Sequence, residues 1–396
     1  MDDTSTAEPG VEIERRVEQL LASFPPQTTD MTTFLGAQFD AGLAWVHFPV
    51  GRGGVAGPIA LQSVVDRQLH EAGAPSGRML NTTAYGQGSA TLVAYGTDDQ
   101  QDRYLRRIFT CEDIWCQLFS EPGSGSDLAG LATRAELDGD EWRVNGQKVW
   151  TTRGHLARYG LLLARTDPDV AKHAGLTYFV LDMSQAAVTV RPLRQMDGGA
   201  SFNEVFIADA RIPDSERLGD VGQGWAVSNT TLMNERYNFG GTPERGSGAI
   251  ARAVEAWQGR ADQTSPSVLV RRDALVRLWI EAEAQRLTML RATVARAQGK
   301  AGAEGSIGKL AGSELGQRIA ELTVDLLGAD GMLIEGYGPS DRDHWSPQRG
   351  LIGSPAGTIA GGTSAIQRNI IGERVLGLPR EPDPFKGQPW SSVPRN

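Results

Sequence analysis

The sequence has 396 residues, 40% of them apolar, with 48 glycines and 20 prolines; that is length for a sizeable core shared by two or three subdomains. A net charge of −9 argues against a general nucleic-acid or anionic-membrane binder, and no run of about 18 apolar residues exists to span a bilayer. Two cysteines, Cys111 and Cys116, and five scattered histidines argue against a disulfide framework, a metal site or a histidine-driven triad, so the cysteines read as free thiols. The polar, acidic start, Met1 to Ser5, lacks the basic-then-apolar order of a signal peptide, which points to the cytoplasm.

Residues 1–112 read as helices joined by loops. Val17, Leu20 and Leu21 give Glu14 to Ser23 an amphipathic pattern, Ile59 to Ala72 is helical after a Gly51 to Gly54 loop, and Tyr104, Leu105 and Ile108 share a helix face. From 113 to 218 the period changes to two. Runs at 132–137, 141–144, 159–164, 176–181 and 187–192 read as strands of a barrel or sandwich, with Leu137-Asp-Gly-Asp and Val144-Asn-Gly-Gln as hairpin turns. From 219 to 396 the helical period returns. Leu275 to Ala297 marks one long helix and Ile307 to Leu326 another, as in an antiparallel bundle, and the last 20 residues read as an extended tail. The fold class is α+β, helices then β-domain then bundle.

Three segments carry chemistry. In Cys116 to Asp127 a strand feeds a Pro-Gly-Ser-Gly-Ser turn whose amides and hydroxyls could hold a diphosphate or a ring carbonyl; the plain alternative is a hairpin loop. In Asn145 to Gly154, Trp150 and Thr152 fall on one strand face, suiting the wall of an aromatic cofactor; the alternative is a core tryptophan. In Gly361 to Arg374, Thr363 or Ser364 caps a helix with Ile366, Ile370 and Ile371 inward, its positive end open to an anionic group; the alternative is a capped core helix.

Together these segments resemble an acyl-CoA dehydrogenase. The family's S-E-P-x-A/G-G-S-D loop resembles Ser120 to Asp127, its N-G-x-K-x-W-x-T resembles Asn145 to Thr152, and its G-T-x-x-I-Q-R resembles Gly362 to Arg368. The resemblance implies N-terminal helices, a central β-domain and a C-terminal four-helix bundle, with FAD between the last two. It implies cofactor contacts at Gln117, Phe119, Ser120, Ser126, Trp150, Thr152 and Thr363, and substrate contacts at Ser126, Met233, Arg236 and Gly362. It further implies an acyl-CoA substrate drawn from lipid, fatty-acid or steroid side-chain breakdown, an electron-transfer flavoprotein as acceptor, and a homo- or hetero-oligomer.

Oxidising a thioester at its α and β carbons needs a carboxylate base. Many family members carry it where this chain has Gly361, which has no side chain. Trp225, Ser228, Leu232, Glu235 and Phe239 follow steps of three and four, placing Glu235 on one helix face with apolar residues, where burial would favour a raised pKa. Asn234-Glu235-Arg236 resembles the "E-R" of the isovaleryl-type and long-chain-type branches, so Glu235 is the expected catalytic base. Two departures stand: no R-x-x-F-G element occurs in 251–274, and Leu327-Gly-Ala-Asp-Gly331 replaces Gln-x-x-Gly-Gly. Competing readings are a non-catalytic or half-site subunit of a heteromer, and a flavin oxidase or monooxygenase on the same fold.

Overall fold

A computed structural model describes residues 9–238, 244–260, 265–297, 302, 304–334 and 345–394. The chain divides into two units, one of Met1–Leu193, Ser201–Asn234 and Phe385–Asn396, the other of Arg194–Ala200 and Glu235–Pro384.

The first unit opens with helices α1 (Pro9–Ser23), α2 (Met31–Asp40), α3 (Gln62–Glu71), α4 (Ser89–Tyr95) and α5 (Asp98–Phe109). Local chemistry sets where α5 begins: Gln100 N–H donates to Thr97 Oγ1 at 3.2 Å while Thr97 N–H donates to Gln100 Oε1 at 2.8 Å, satisfying two otherwise orphaned donors. Tyr104, Leu105 and Ile108 are buried as the periodicity predicts.

Eight strands follow: β1 (Trp115–Leu118), β2 (Arg134–Asp138), β3 (Glu141–Thr152), β4 (Tyr159–Arg165), β5 (Leu176–Asp182), β6 (Val188–Leu193), β7 (Phe202–Pro213) and β8 (Arg217–Leu218). They form one sheet in the order β6-β7-β3-β2-β4-β5-β8, with β1 pairing in parallel to β4. Strands β4 and β5 are buried on both faces. Leu161, Leu163, Tyr178 and Val180 pack with the helices, whereas Leu162, Ala164, Phe179 and Leu181 join a second core with Trp142, Val205 and Ile207. That explains their unbroken apolar runs.

Asp138 to Glu141 is the expected hairpin, with Gly139 at φ 70°. Asn145-Gly146 is not a turn. It lies inside β3, where the register with β7 shifts between Val144 and Asn145. Asn145 Nδ2 donates to Asp209 Oδ1 at 2.9 Å and Asp209 N–H donates to Asn145 Oδ1 at 3.0 Å, closing a bulge. Glycine is required at 146 because a Cβ would come within 2.3 Å of the Thr133 hydroxyl.

Helix α6 (Gly224–Asn238) crosses the division between the units, which falls after Asn234. The second unit holds α7 (Ala249–Gln258), α8 (Pro266–Ala297), α9 (Glu304–Leu327), α10 (Pro347–Gly357) and α11 (Ser364–Arg374). Helix α9 packs on the other four, and Ile250, Ala253, Leu275, Leu278, Leu315 and Ile319 form the core of α7 to α9. The two predicted long helices are α8 and α9. The tail differs from expectation: a 3-10 turn at Trp390–Ser392 belongs to the first unit, and Trp390 is buried.

Candidate active site

The first two motifs meet in the first unit. Leaving β1, the chain turns at Glu121 to Ser124, where two reciprocal backbone bonds of 2.9 and 3.0 Å close the loop. Ser120 accepts from Val149 N–H at 2.9 Å, joining the loop to β3. Lys148 completes the joint. Its side chain is wholly buried, and its ammonium donates to Phe119 O (3.0 Å), Leu163 O (2.8 Å) and Glu121 Oε1 (2.9 Å). Glu121 also accepts from Ala132 and Thr133 N–H at 2.7 and 2.8 Å. Burial alone would raise the Glu121 carboxyl, but the Lys148 ammonium and these donors hold it below its ordinary value.

One residue past Val149 the strand breaks its period. The register shifts between Lys148 and Thr151, and Trp150 adopts φ 61°. An L-residue with a large side chain rarely takes that conformation, and strained positions of this kind cluster at functional sites. The bulge leaves the Trp150 side chain 62% exposed, its ring edge-on to Phe202 at 6.2 Å. Thr152, two residues on, is half-buried. The exposure of Trp150 thus comes from the bulge, not from simple alternation.

The loop leaves open space beside its two glycines. A Cβ on Gly123 or Gly125 would meet nothing within 4 Å. Ser126 is exposed, and Gln117 and Ser120 are half-buried. Ser124, part of the sequence motif but not among its expected contact residues, organises the turn: it is buried and its hydroxyl donates to Asp127 O. Phe119 points into the core, its ring perpendicular to Tyr178 at 5.7 Å, so contact with a cofactor falls to its main chain. An exposed indole on a strained bulge, bonded through its neighbour to a loop of open glycines, fits the flat ring and diphosphate of FAD.

In the second unit, Thr363 caps α11 by accepting from Ile366 N–H at 3.2 Å. The inward residue of α11 is Gln367, fully buried, whereas Ile366, Ile370 and Ile371 are only partly covered. Its amide donates to Gly361 O at 2.8 Å and Gly362 O at 3.4 Å, and Lys309 donates to Gly362 O at 2.6 Å. Both glycines are left-handed, at φ 65° and 91°. A Cβ on Gly362 would lie 2.8 Å from Gln367 Nε2. A cleft of about 550 Å³ opens elsewhere in this unit, bordered by Arg252, Gly316, Trp345 and Gly353, and none of the site residues expected from the sequence lines it.

The inward face of α6 carries hydroxyls. Ser228 and Thr231 are fully buried, and Thr231 Oγ1 lies 2.9 Å from Thr91 Oγ1 and 3.0 Å from Tyr178 OH. Trp225 and Leu232, expected on the buried stripe, are partly covered, and Met233 is 48% exposed. Glu235 and Arg236 belong to α6, but their side chains lie outside the described residues, as does Phe239 altogether. Among the described residues no cluster of His, Cys, Asp and Glu could hold a metal, and no helix is long and apolar enough to cross a membrane.

Residues 13–112 match the N-terminal domain of acyl-CoA dehydrogenases, 116–210 the middle domain and 222–376 the C-terminal domain. A relative from Mycobacterium tuberculosis, acyl-CoA dehydrogenase IpdE1, is 41% identical over 292 residues, 74% of either chain. The fold matches a chain of the ChsE4–ChsE5 complex from the same organism, with TM-score 0.72, 27% identity and 96% of this chain and 100% of that one covered. It also matches a chain of the Tcur3481–Tcur3483 steroid acyl-CoA dehydrogenase, with TM-score 0.71, 25% identity and coverage of 95% and 99%.

Proposed function

We propose, from the premise that this chain belongs to the acyl-CoA dehydrogenase family, that it oxidises an acyl-CoA thioester to the enoyl-CoA with Glu235 as the base. The family makes it an FAD-dependent oxidoreductase. FAD, when bound, supplies the acceptor for the hydride that leaves the β-carbon. Gln117, Ser120, Ser126, Trp150, Thr152, Thr363 and the main chain at Phe119 are the groups that would hold it. The observation that carries the reading is the joint of the 120–127 loop to β3, which ties two separate motifs to one exposed tryptophan.

The task left to the protein is removal of the α-proton. Gly361 cannot do it, and its φ of 65° disfavours any side chain there by about 1–2 kcal/mol. Position 235 lies four residues, about one turn, beyond Thr231 on α6, the spacing at which an ideal helix repeats a face, which supports Glu235 as the base. Ser126, Met233, Arg236 and Gly362 are the proposed substrate contacts. The test is anaerobic titration of the purified flavoprotein with straight, branched and ring-bearing acyl-CoAs. We expect one class to bleach the flavin and Glu235→Gln to abolish bleaching while retaining FAD. Undiminished bleaching in that variant sinks the assignment of the base. The likeness to a steroid acyl-CoA dehydrogenase supports a ring-bearing acyl group. Reoxidation by an electron-transfer flavoprotein but not by O₂ alone separates a dehydrogenase from an oxidase.

One observation favours assembly with another subunit. Val276, Ile280, Leu287, Leu290 and Val294 are all exposed along one side of α8, an apolar stripe wider than isolated surface residues account for. With the R-x-x-F-G element lacking, and with the likeness to chains of the ChsE4–ChsE5 complex and of Tcur3481–Tcur3483, a heteromer is the favoured form. Light scattering of the chain alone, and after co-expression with a second family member, tests it.

A further inference from the structure

Three consecutive carbonyls close the loop that begins at Ser120, and each is held by a buried donor. Arg165, the last residue of β4, donates from Nε to Leu131 O at 3.1 Å and from a terminal nitrogen to Ala129 O at 2.6 Å. Its other terminal nitrogen donates to Lys172 O at 3.2 Å. The carbonyl between the two, Gly130 O, accepts from the indole Nε1 of Trp390 at 3.2 Å. The same indole lies over the guanidinium, with the carbon of the charged group 4.1 Å from the ring centroid. Arg165 and Trp390 are 3% and 8% exposed.

Trp390 comes from a segment far away in sequence, fastened on both sides. Its N–H donates to Val170 O at 2.8 Å, Pro389 bridges to Ala171, Ser391 N–H donates to Pro168 O at 2.8 Å, and Ser391 Oγ bonds to Asp169 Oδ1 at 3.0 Å. Segment 168–172 in turn reaches the loop, because Lys172 Nζ meets Asp127 Oδ1 at 2.8 Å. The tail, segment 168–172 and the end of the loop therefore form one closed circuit of bonds.

We propose that Trp390 is a positioning residue for the loop: the docked tail fixes the path of residues 123–131 and so presents their amides in a conformation ready for the cofactor. The proposal rests on the reading that this loop holds FAD. A loop fixed beforehand gives up less conformational freedom when its ligand arrives, so loosening it weakens binding without removing any group that touches the ligand.

The test compares the full-length parent with Trp390→Ala and Trp390→Phe. Trp390→Phe keeps an aromatic ring for the guanidinium and removes the N–H together with part of the indole's volume. In the flavin-free proteins, hydrogen exchange of amides 123–131 should quicken by roughly threefold to tenfold in Trp390→Ala, the range expected for one net hydrogen bond, while β5 amides exchange as in the parent. FAD affinity, followed by quenching of flavin fluorescence, should fall by a similar factor in Trp390→Ala and by less in Trp390→Phe. Unchanged exchange at 123–131, an equal rise in β5, or parental FAD affinity in Trp390→Ala would overturn the proposal. A parent that takes no FAD, either alone or co-expressed with a second family member, ends the functional reading instead, and the exchange comparison then decides the clasp alone.

Discussion

The ammonium of Lys148 and the carboxylate of Glu121 meet at 2.9 Å with the lysine side chain fully buried and the glutamate side chain 9% exposed. A buried charge that loses its partner keeps its desolvation cost, so breaking such a pair typically costs 3–5 kcal/mol, or about that much here. Lys148→Met also leaves Phe119 O and Leu163 O without this donor. Chemical denaturation should show the full loss, and Lys148→Arg should not recover it, since a planar guanidinium does not fit three acceptors gathered around a compact ammonium. A loss below about 1 kcal/mol would mean that the pair is a spectator.

The same pair sets an acid limit. The Glu121 carboxyl titrates below its ordinary value of 4.5, because Lys148 and the backbone donors outweigh burial. A carboxylate depressed on folding contributes stability that is complete above its unfolded pKa and is lost as pH falls through the lower folded one. Thermal midpoints taken from about pH 6 down to about pH 3 should therefore fall in the parent. Glu121→Gln, less stable from the start, should fall less steeply. Parallel curves for the two proteins would locate the acid sensitivity elsewhere.

Trp150 should separate stability from cofactor binding. Its side chain is mostly exposed, so Trp150→Ala should change the unfolding free energy by no more than about 0.5 kcal/mol. Loss of an aromatic contact should weaken FAD binding by about twofold to tenfold. Trp150→Gly should bind FAD as poorly, yet exceed the alanine variant in apoprotein stability by about 1 kcal/mol, because glycine bears φ 61° without a Cβ penalty. Calorimetry of the apoproteins with flavin titration reads both effects.

Neither thiol should react in the folded protein. Burial pushes Cys111 up to about 11 and Cys116 up to about 12, and the thiolate is the reactive form. At about pH 8 roughly one Cys111 in a thousand is ionised. A chromogenic disulfide reagent should label both cysteines in denaturant and neither promptly without it. A rapid full equivalent under native conditions would contradict the burial.

The order helices, sheet, helices was legible because each stretch of sequence announces its period: Tyr104, Leu105 and Ile108 by threes and fours, and the strands by twos and by the unbroken runs of β4 and β5. What the sequence concealed depended on distant partners. Asn145-Gly146 has the letters of a turn, but β7 and the Thr133 side chain, both remote in sequence, make it a bulge. Three isoleucines looked like the inner face of α11, yet Gln367 is inside, because two glycine carbonyls there need a donor. Lys148 and Glu121 each sat inside a recognised motif, and only the fold shows them paired. The Glu235 assignment draws on the empty position at 361 and the helix repeat, both of which were visible from the start.

Trp390 also bears on how the chain is made. The first unit takes its last strand from residues 217–218 but its tail from residues beyond 384, so the whole of 235–384 is synthesised in between. Folding in order of synthesis lets the sheet form early, while Arg165 waits for its aromatic cover and Gly130 for its indole donor until residue 390 has left the ribosome. During that interval the 123–131 loop lacks the contacts that Trp390 supplies to Gly130 O and to Arg165. On the proposed reading, the loop would reach its full affinity for flavin only then, after the helices of the second unit have been made.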